Sequence, residues 1–251
     1  NYFTFTPHGR LIHIDAEPRV LEANHPGLGV HADAALALTA IAEQVVARDS
    51  ADGAEIAAEL RRAVQDRLAG QDVTAELRLM EDLRAAVPAA AQTFWDMTIA
   101  AYWAWSAWDP QDGEFHTAQG AGGLGFAYPA AVAAAIGSGT RTLAVSGDGG
   151  AMYSIAELAT ARQHDADVTW LIVDDGGYGI LREYMTDAFG TATATELARP
   201  DFISLAASFG VRAHLATLDT IGRIIAETFT TRGPAVVVLP ALLRMFAPTH
   251  L

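Results

Sequence analysis

A chain of 251 residues with 51% hydrophobic and 18% charged side chains suits one large α/β domain, or one domain and part of another, and is too apolar to be disordered. Its formal charge of −14 argues against nucleic acid or an anionic membrane as partner, though not against an anionic cofactor held in a local field. Cysteine is absent, which removes disulfides, thiolate metal sites and a cysteine nucleophile, and leaves the compartment undecided, with the cytoplasm as the default expectation.

No signal peptide is visible and no apolar run reaches the ~18 residues of a membrane span. Residues 1–6 lack an initiator Met and read as a strand that continues a longer polypeptide. Residues 11–15 read as a buried strand and residues 33–46 as an alanine-rich helix capped by Asp33, the last β–α part of a Rossmann-like domain. Residues 48–53 form a polar, turn-prone break. The expected organisation is therefore 1–49 as the tail of that domain, 50–76 as a linker helix and 77–251 as a second domain. In the linker, Ile56, Leu60, Val64 and Leu68 recur at helical spacing. A helix at 74–87 stops before Pro88. From Ala91 onward, strands at 92–95, 142–146, 168–173, 211–215 and 235–239 alternate with helices at 99–108, 129–136, 154–164, 201–209 and 219–231. That pattern predicts a doubly wound parallel sheet with helices on both faces.

Two acidic, glycine-rich patches follow β-branched runs. Gly147-Asp148-Gly149-Gly150 ends one predicted strand and Asp174-Asp175-Gly176-Gly177-Tyr178-Gly179 ends the next. Both fall where open α/β sheets place ligands. The glycines allow backbone N–H groups to approach an anion, and a helix beginning near Ser154 would point its positive end the same way. Carboxylates beside a phosphate cradle imply a hard cation between them, and Mg²⁺ prefers oxygen ligands. Asp96-Met97-Thr98-Ile99 also joins a strand to a helix; Thr98 there reads equally as a diphosphate contact or as a cap. The crowded Trp95, Trp103, Trp105 and Trp108 read as core, and His116 as an exposed loop residue.

The GDG at 147–149 and the Asp-Asp pair with its Gly-Gly at 174–177 resemble the thiamine diphosphate (ThDP) motif, with acids where Asn is usual. Gly122-Gly123-Leu124-Gly125 resembles the loop that holds the aminopyrimidine in benzoylformate decarboxylase and acetolactate synthase. The likeness runs from about Leu77 to Pro240, with 11–46 similar to the end of the middle domain. It implies the diphosphate-binding domain of a ThDP- and Mg²⁺-dependent enzyme that decarboxylates 2-oxo acids or forms C–C bonds. It implies Asp148, Asp175 and the Gly177 carbonyl as metal ligands, with Asp174 orienting the loop. Gly147, Gly149, Gly150, Tyr178, Gly179, Ile180 and Thr98 are then cofactor contacts. Leu124 supports the bent cofactor, the Gly122 carbonyl accepts from its amino group, and Tyr184 faces substrate.

The family's activating glutamate is then expected outside this chain, on a pyrimidine-binding domain that faces the site from a neighbouring subunit of a homodimer or homotetramer. FAD is left open. Leu181 replaces the Glu of pyruvate decarboxylases, and Glu183-Tyr184 departs from the Gln-Trp of acetolactate synthases. Two rivals remain. One is a non-catalytic or regulatory subunit of the same fold. The other is an NAD-binding oxidoreductase domain, which lacks its G-x-G-x-x-G here.

Overall fold

The computed structural model describes residues 9–46 and 51–246, so the strand expected at 1–6 and the first part of the expected break lie outside the described residues. The chain divides into two compact units, Asn1–Leu60 and Arg61–Leu251.

In the first unit, β1 (Ile12–Asp15) pairs in parallel with β2 (Leu28–His31), and α1 (Ala34–Gln44) follows. Asp33 caps α1 as expected, its carboxylate accepting from the Leu36 N–H at 3.0 Å. β2 was not expected, because Leu28-Gly29-Val30-His31 is short and carries a glycine. Leu36, Leu38, Ile41 and Val45 are exposed.

Helix α2 (Ala51–Ala69) corrects one expectation: Ala51-Asp52-Gly53 are helical and not part of the break. The Ala, Glu, Leu and Arg that follow are strong helix formers and carry the helix back over the glycine. The apolar stripe is buried only at its end. Leu68 is buried, whereas Ile56 and Leu60 are exposed.

The second unit is built on six parallel strands in the order β4-β3-β5-β6-β8-β7. They are β3 (Gln92–Trp95), β4 (Glu114–Thr117), β5 (Thr142–Gly147), β6 (Val168–Asp174), β7 (Arg212–Leu215) and β8 (Ala235–Pro240). Side chains alternate faces along each strand. Trp95, Leu143, Val145, Leu171, Val173, Val237 and Leu239 therefore join α3 (Thr74–Ala86), α4 (Ile99–Ala107) and α10 (Ile221–Thr230) in one core. Phe94, Ala144, Trp170, Ile172, Val236 and Val238 join α5 (Ala127–Ser138), α7 (Glu157–Gln163) and α9 (Phe202–Ser208) in the other. The expected doubly wound α/β architecture is what forms. Trp95 and Trp103 are wholly buried in the first core, and Trp170 stacks on Tyr128 at 3.8 Å in the second.

The strand order fixes where a ligand can sit. From β3 the chain crosses to β4 on one side and then to β5 on the other. The crossover through α4 runs over one face and that through α5 over the opposite face. A crevice opens at the C-terminal ends of β3 and β5, where the winding reverses.

Candidate functional site

Four loops meet at that crevice, one beyond each of β3, β4, β5 and β6. Thr98, Leu124, Gly150 and Asp175, one from each, line a single cleft of about 190 Å³. Gly122, Gly147, Gly149, Gly177, Tyr178, Gly179 and Ile180 line it too. All the sequence-predicted cofactor contacts except Asp148 are thus brought together. Asp148 lies behind Gly149, in a second hollow with Tyr178 and Arg199.

The register explains the acids. Gly147 pairs with Val173 across adjacent parallel strands, so Asp148 and Asp174 leave the sheet side by side. A short helix, α6 (Asp148–Ala151), begins at the acid itself, correcting the expected start near Ser154. Ser154 instead lies in the turns between α6 and α7. The glycines are needed for clearance. A Cβ on Gly149 would lie 2.7 Å from the Tyr178 ring, and one on Gly150 would lie 2.9 Å from an Asp96 carboxylate oxygen.

Asp148 is buried, and neither of its carboxylate oxygens has a hydrogen-bond partner among the described residues. Burial, reinforced by the charges of Asp175 and Asp174, pushes its carboxyl up to about 6. Asp175 is also raised by burial, and its carboxylate accepts from the Gly177 N–H at 3.1 Å. Helix α8 (Gly179–Phe189) starts directly against the other Asp175 oxygen, where any side chain on Gly179 would collide. No helix was expected over this segment, whose start is the glycine-rich Gly176-Gly177-Tyr178-Gly179. Asp174 points elsewhere, with Arg199 Nε at 2.7 Å from it and 3.8 Å from Asp148.

Arg199 was missed from the sequence, as was the segment before it. Thr195 accepts from the Tyr178 N–H at 2.9 Å, and Leu197 donates to the Gly176 carbonyl at 3.1 Å. This clip holds the Gly176–Tyr178 turn from outside. Arg182 on α8 reaches the Asp175 carbonyl and pairs with Glu196 at 2.8 Å. No local sequence signal marks Arg199, which lies 20 residues beyond the acidic patch with Arg182 between.

Other residues separate. The Thr98 hydroxyl makes no cap bond and is buried without a partner, so the capping alternative is not realised. Leu181 lines the cleft; Tyr184, one turn on, is half exposed and does not. His116 lies on β4 and not in a loop, stacked on Phe94 at 4.7 Å and bonded to Glu114.

Residues 96–239 match the model of the thiamine pyrophosphate enzyme C-terminal TPP-binding domain. The chain belongs to that family. The cofactor of these TPP-binding domains is thiamine diphosphate, held with Mg²⁺. The residues present fit that pair. A buried carboxylate with two unsatisfied oxygens calls for a cation, and the cleft of about 190 Å³ that the neighbouring glycine turns line can take an anion.

Relatives agree with the family. The chain is 29% identical over 240 residues to the Pseudomonas aeruginosa protein named "Probable 2-ketoarginine decarboxylase", covering 92% of this chain and 42% of that one. It is 26% identical over 243 residues to the Escherichia coli acetolactate synthase isozyme 2 large subunit, covering 92% and 43%. The Rhodococcus jostii RHA1 thiamine diphosphate-dependent 4-hydroxybenzoylformate decarboxylase shares the fold, with a TM-score of 0.73 and 23% identity over 94% of this chain and 44% of that one. The chain thus spans less than half the length of these relatives.

Proposed function

We propose that this chain supplies the diphosphate and Mg²⁺ half of the site in an enzyme that decarboxylates a 2-oxo acid, forms a C–C bond from it, or does both. The observation that carries the reading is the buried Asp148 carboxylate, without a hydrogen bond among the described residues, beside Asp175 at the reversal point of the sheet. Residues 77–251 are assigned as the diphosphate-binding domain, 50–76 as the linker and 1–49 as the tail of a middle domain.

Thiamine diphosphate, when bound, supplies an electron sink for the pair left behind as CO₂ departs. Asp148, Asp175 and the Gly177 carbonyl are the groups of this chain that would hold Mg²⁺. Gly147, Gly149, Gly150, Tyr178, Gly179 and Ile180 shape the wall for the diphosphate and its ring. Leu124 and Gly122 face that wall across the cleft and would fix the aminopyrimidine and thiazolium halves. Tyr184 is proposed to meet substrate from the rim. The activating glutamate would come from a pyrimidine-binding domain of a neighbouring subunit, in a homodimer or homotetramer. Exposed Met152, Tyr153 and Leu181 around Tyr178 support such a cover, since a clustered apolar rim favours burial. The cytoplasm is the proposed compartment, and the charge of −14 favours a free particle over one held on an anionic membrane.

Titrating ThDP into the intact protein with and without Mg²⁺ tests the reading. Saturable binding only with Mg²⁺ is expected; binding of NAD in its place would overturn it. Two variants refine the roles. Thr98→Val keeps the shape and removes a hydroxyl that has no partner in the fold. Stability should be unchanged while ThDP binds about three- to tenfold more weakly, the size of one hydrogen bond of ~0.5–1.5 kcal/mol. Equal affinity would remove Thr98 from the diphosphate contacts. Leu124→Ala should leave affinity nearly intact, because metal and diphosphate carry it. Exchange of the cofactor C2 hydrogen should slow by roughly ten- to a hundredfold, since burial of such a side chain is worth ~2 kcal/mol. Exchange at the wild-type rate would make Leu124 a packing residue only.

A further inference from the structure

The loop that carries Gly122 and Leu124 has little regular structure of its own, yet it must stand at a fixed height above the GDG turn. Its tether is a side chain that the cofactor reading does not use. Asp96 sits one residue beyond β3 and is wholly buried. One carboxylate oxygen accepts from the Gly125 N–H at 3.2 Å and the other from the Ala127 N–H at 2.9 Å. Ala127 opens α5, so Asp96 reaches across from another strand to satisfy the free donors of that helix end. Its own backbone is held in turn. The Asp96 N–H donates to the Val145 carbonyl of β5 at 2.9 Å, and the Thr98 N–H donates to the Asp96 carbonyl at 2.8 Å.

The loop is gripped from the other side as well. Gly125 has φ 77°, and a Cβ there would lie 2.6 Å from the Tyr153 Cβ. A Cβ on Gly150 would lie 2.9 Å from the Asp96 carboxylate and 3.7 Å from Leu124 Cδ2. Asp96, the loop and the GDG turn are therefore in mutual contact. A carboxylate that only filled space here would carry a large desolvation cost, and an apolar residue would fill the same space without it. Burial does push the Asp96 carboxyl up, and the N–H groups of Ala127, Gly125 and Phe126 with the Ser146 hydroxyl draw it back.

We propose that Asp96 is the positioning residue that ties the pyrimidine loop to the metal–diphosphate turn, holding Leu124 and Gly122 at one distance from Gly150. This rests on the function proposed above for that loop, and it assigns Asp96 no contact with cofactor or metal. Amide hydrogen exchange on the intact protein tests it, in wild type, Asp96→Asn and Asp96→Ala, each with and without ThDP and Mg²⁺.

Asn keeps one acceptor and turns an N–H donor toward the other amide. Exchange at residues 122–127 should rise at least tenfold in Asp96→Asn and further in Asp96→Ala, with β5 and β6 as protected as in wild type. ThDP affinity should fall less than threefold while C2–H exchange of the cofactor slows tenfold or more. Wild-type loop exchange in Asp96→Asn would overturn the proposal, as would faster exchange spread evenly through β5 and β6. The isosteric Asn variant keeps the test decisive if the Ala variant fails to fold. A different result would sink the underlying reading: a wild-type loop that gains no protection from ThDP and Mg²⁺ is not a cofactor loop.

Discussion

Asp148→Ala should abolish Mg²⁺-dependent ThDP binding and leave the unloaded protein at least as stable as before. The two halves of this result have one cause. Both oxygens of a buried carboxylate lack partners, and Asp174 and Asp175 add like charge beside it. Ionising this group costs the unloaded fold on the order of 2–3 kcal/mol near neutrality, given a carboxyl pushed up to about 6. An acid with a raised folded value binds its proton longer than the unfolded chain does. Its burden is absent below about pH 4, grows through about pH 6 and is complete above. The Ala variant should lack that decline. A cation repays the cost in wild type, and ligand at a hundred times Kd adds ~2.7 kcal/mol of stability. Thermal melts with and without Mg²⁺ and ThDP read both effects. A variant that kept the wild-type ligand shift would show that Asp148 holds no metal. Asp175→Asn should keep most of the shift, because an amide oxygen can ligate as well.

Gly177→Ala should damage the site as severely without removing any charged group. A Cβ at this position falls on the Thr195 backbone carbonyl, which cannot turn aside as a side-chain end could. Thr195 is tied to the same loop through the Tyr178 N–H, and Leu197 to Gly176. The loop must therefore lift off its clip, taking Asp175 with it. Overpacking of this kind costs about 1–3 kcal/mol. We expect that loss in denaturant unfolding together with at least a tenfold weaker ThDP affinity. Unchanged affinity in a folded variant would separate the Gly177 loop from the metal.

Much of this was legible in the chain. The apolar runs at β5, β6 and β8 are long and β-branched, and the acids and glycines that end the first two stand at a spacing that announced the cleft. What stayed hidden depends on partners distant in sequence. Glu114-Phe115-His116-Thr117 is a short, polar edge strand with no apolar run to mark it. Helix α8 was masked by the glycines that give its first turn room against Asp175. Asp96 looked like a strand end, because nothing local says that its acceptors face a loop 29 and 31 residues away. Arg199 carries no local signal, and its pairing with Asp174 exists only once β6 and the returning segment are folded.

The pairing of Gly147 with Val173 has a further meaning. Neighbouring strands lie ~4.8 Å apart wherever a ladder forms. The spacing of the two acidic turns is thus inherited from the hydrogen-bonded ladder, which serves as a ruler, and not from the loops that carry them. Warming or denaturant that softens the loops should leave the spacing of the two turn bases unaltered until β5 and β6 part, and it should then vanish in a single step with the sheet.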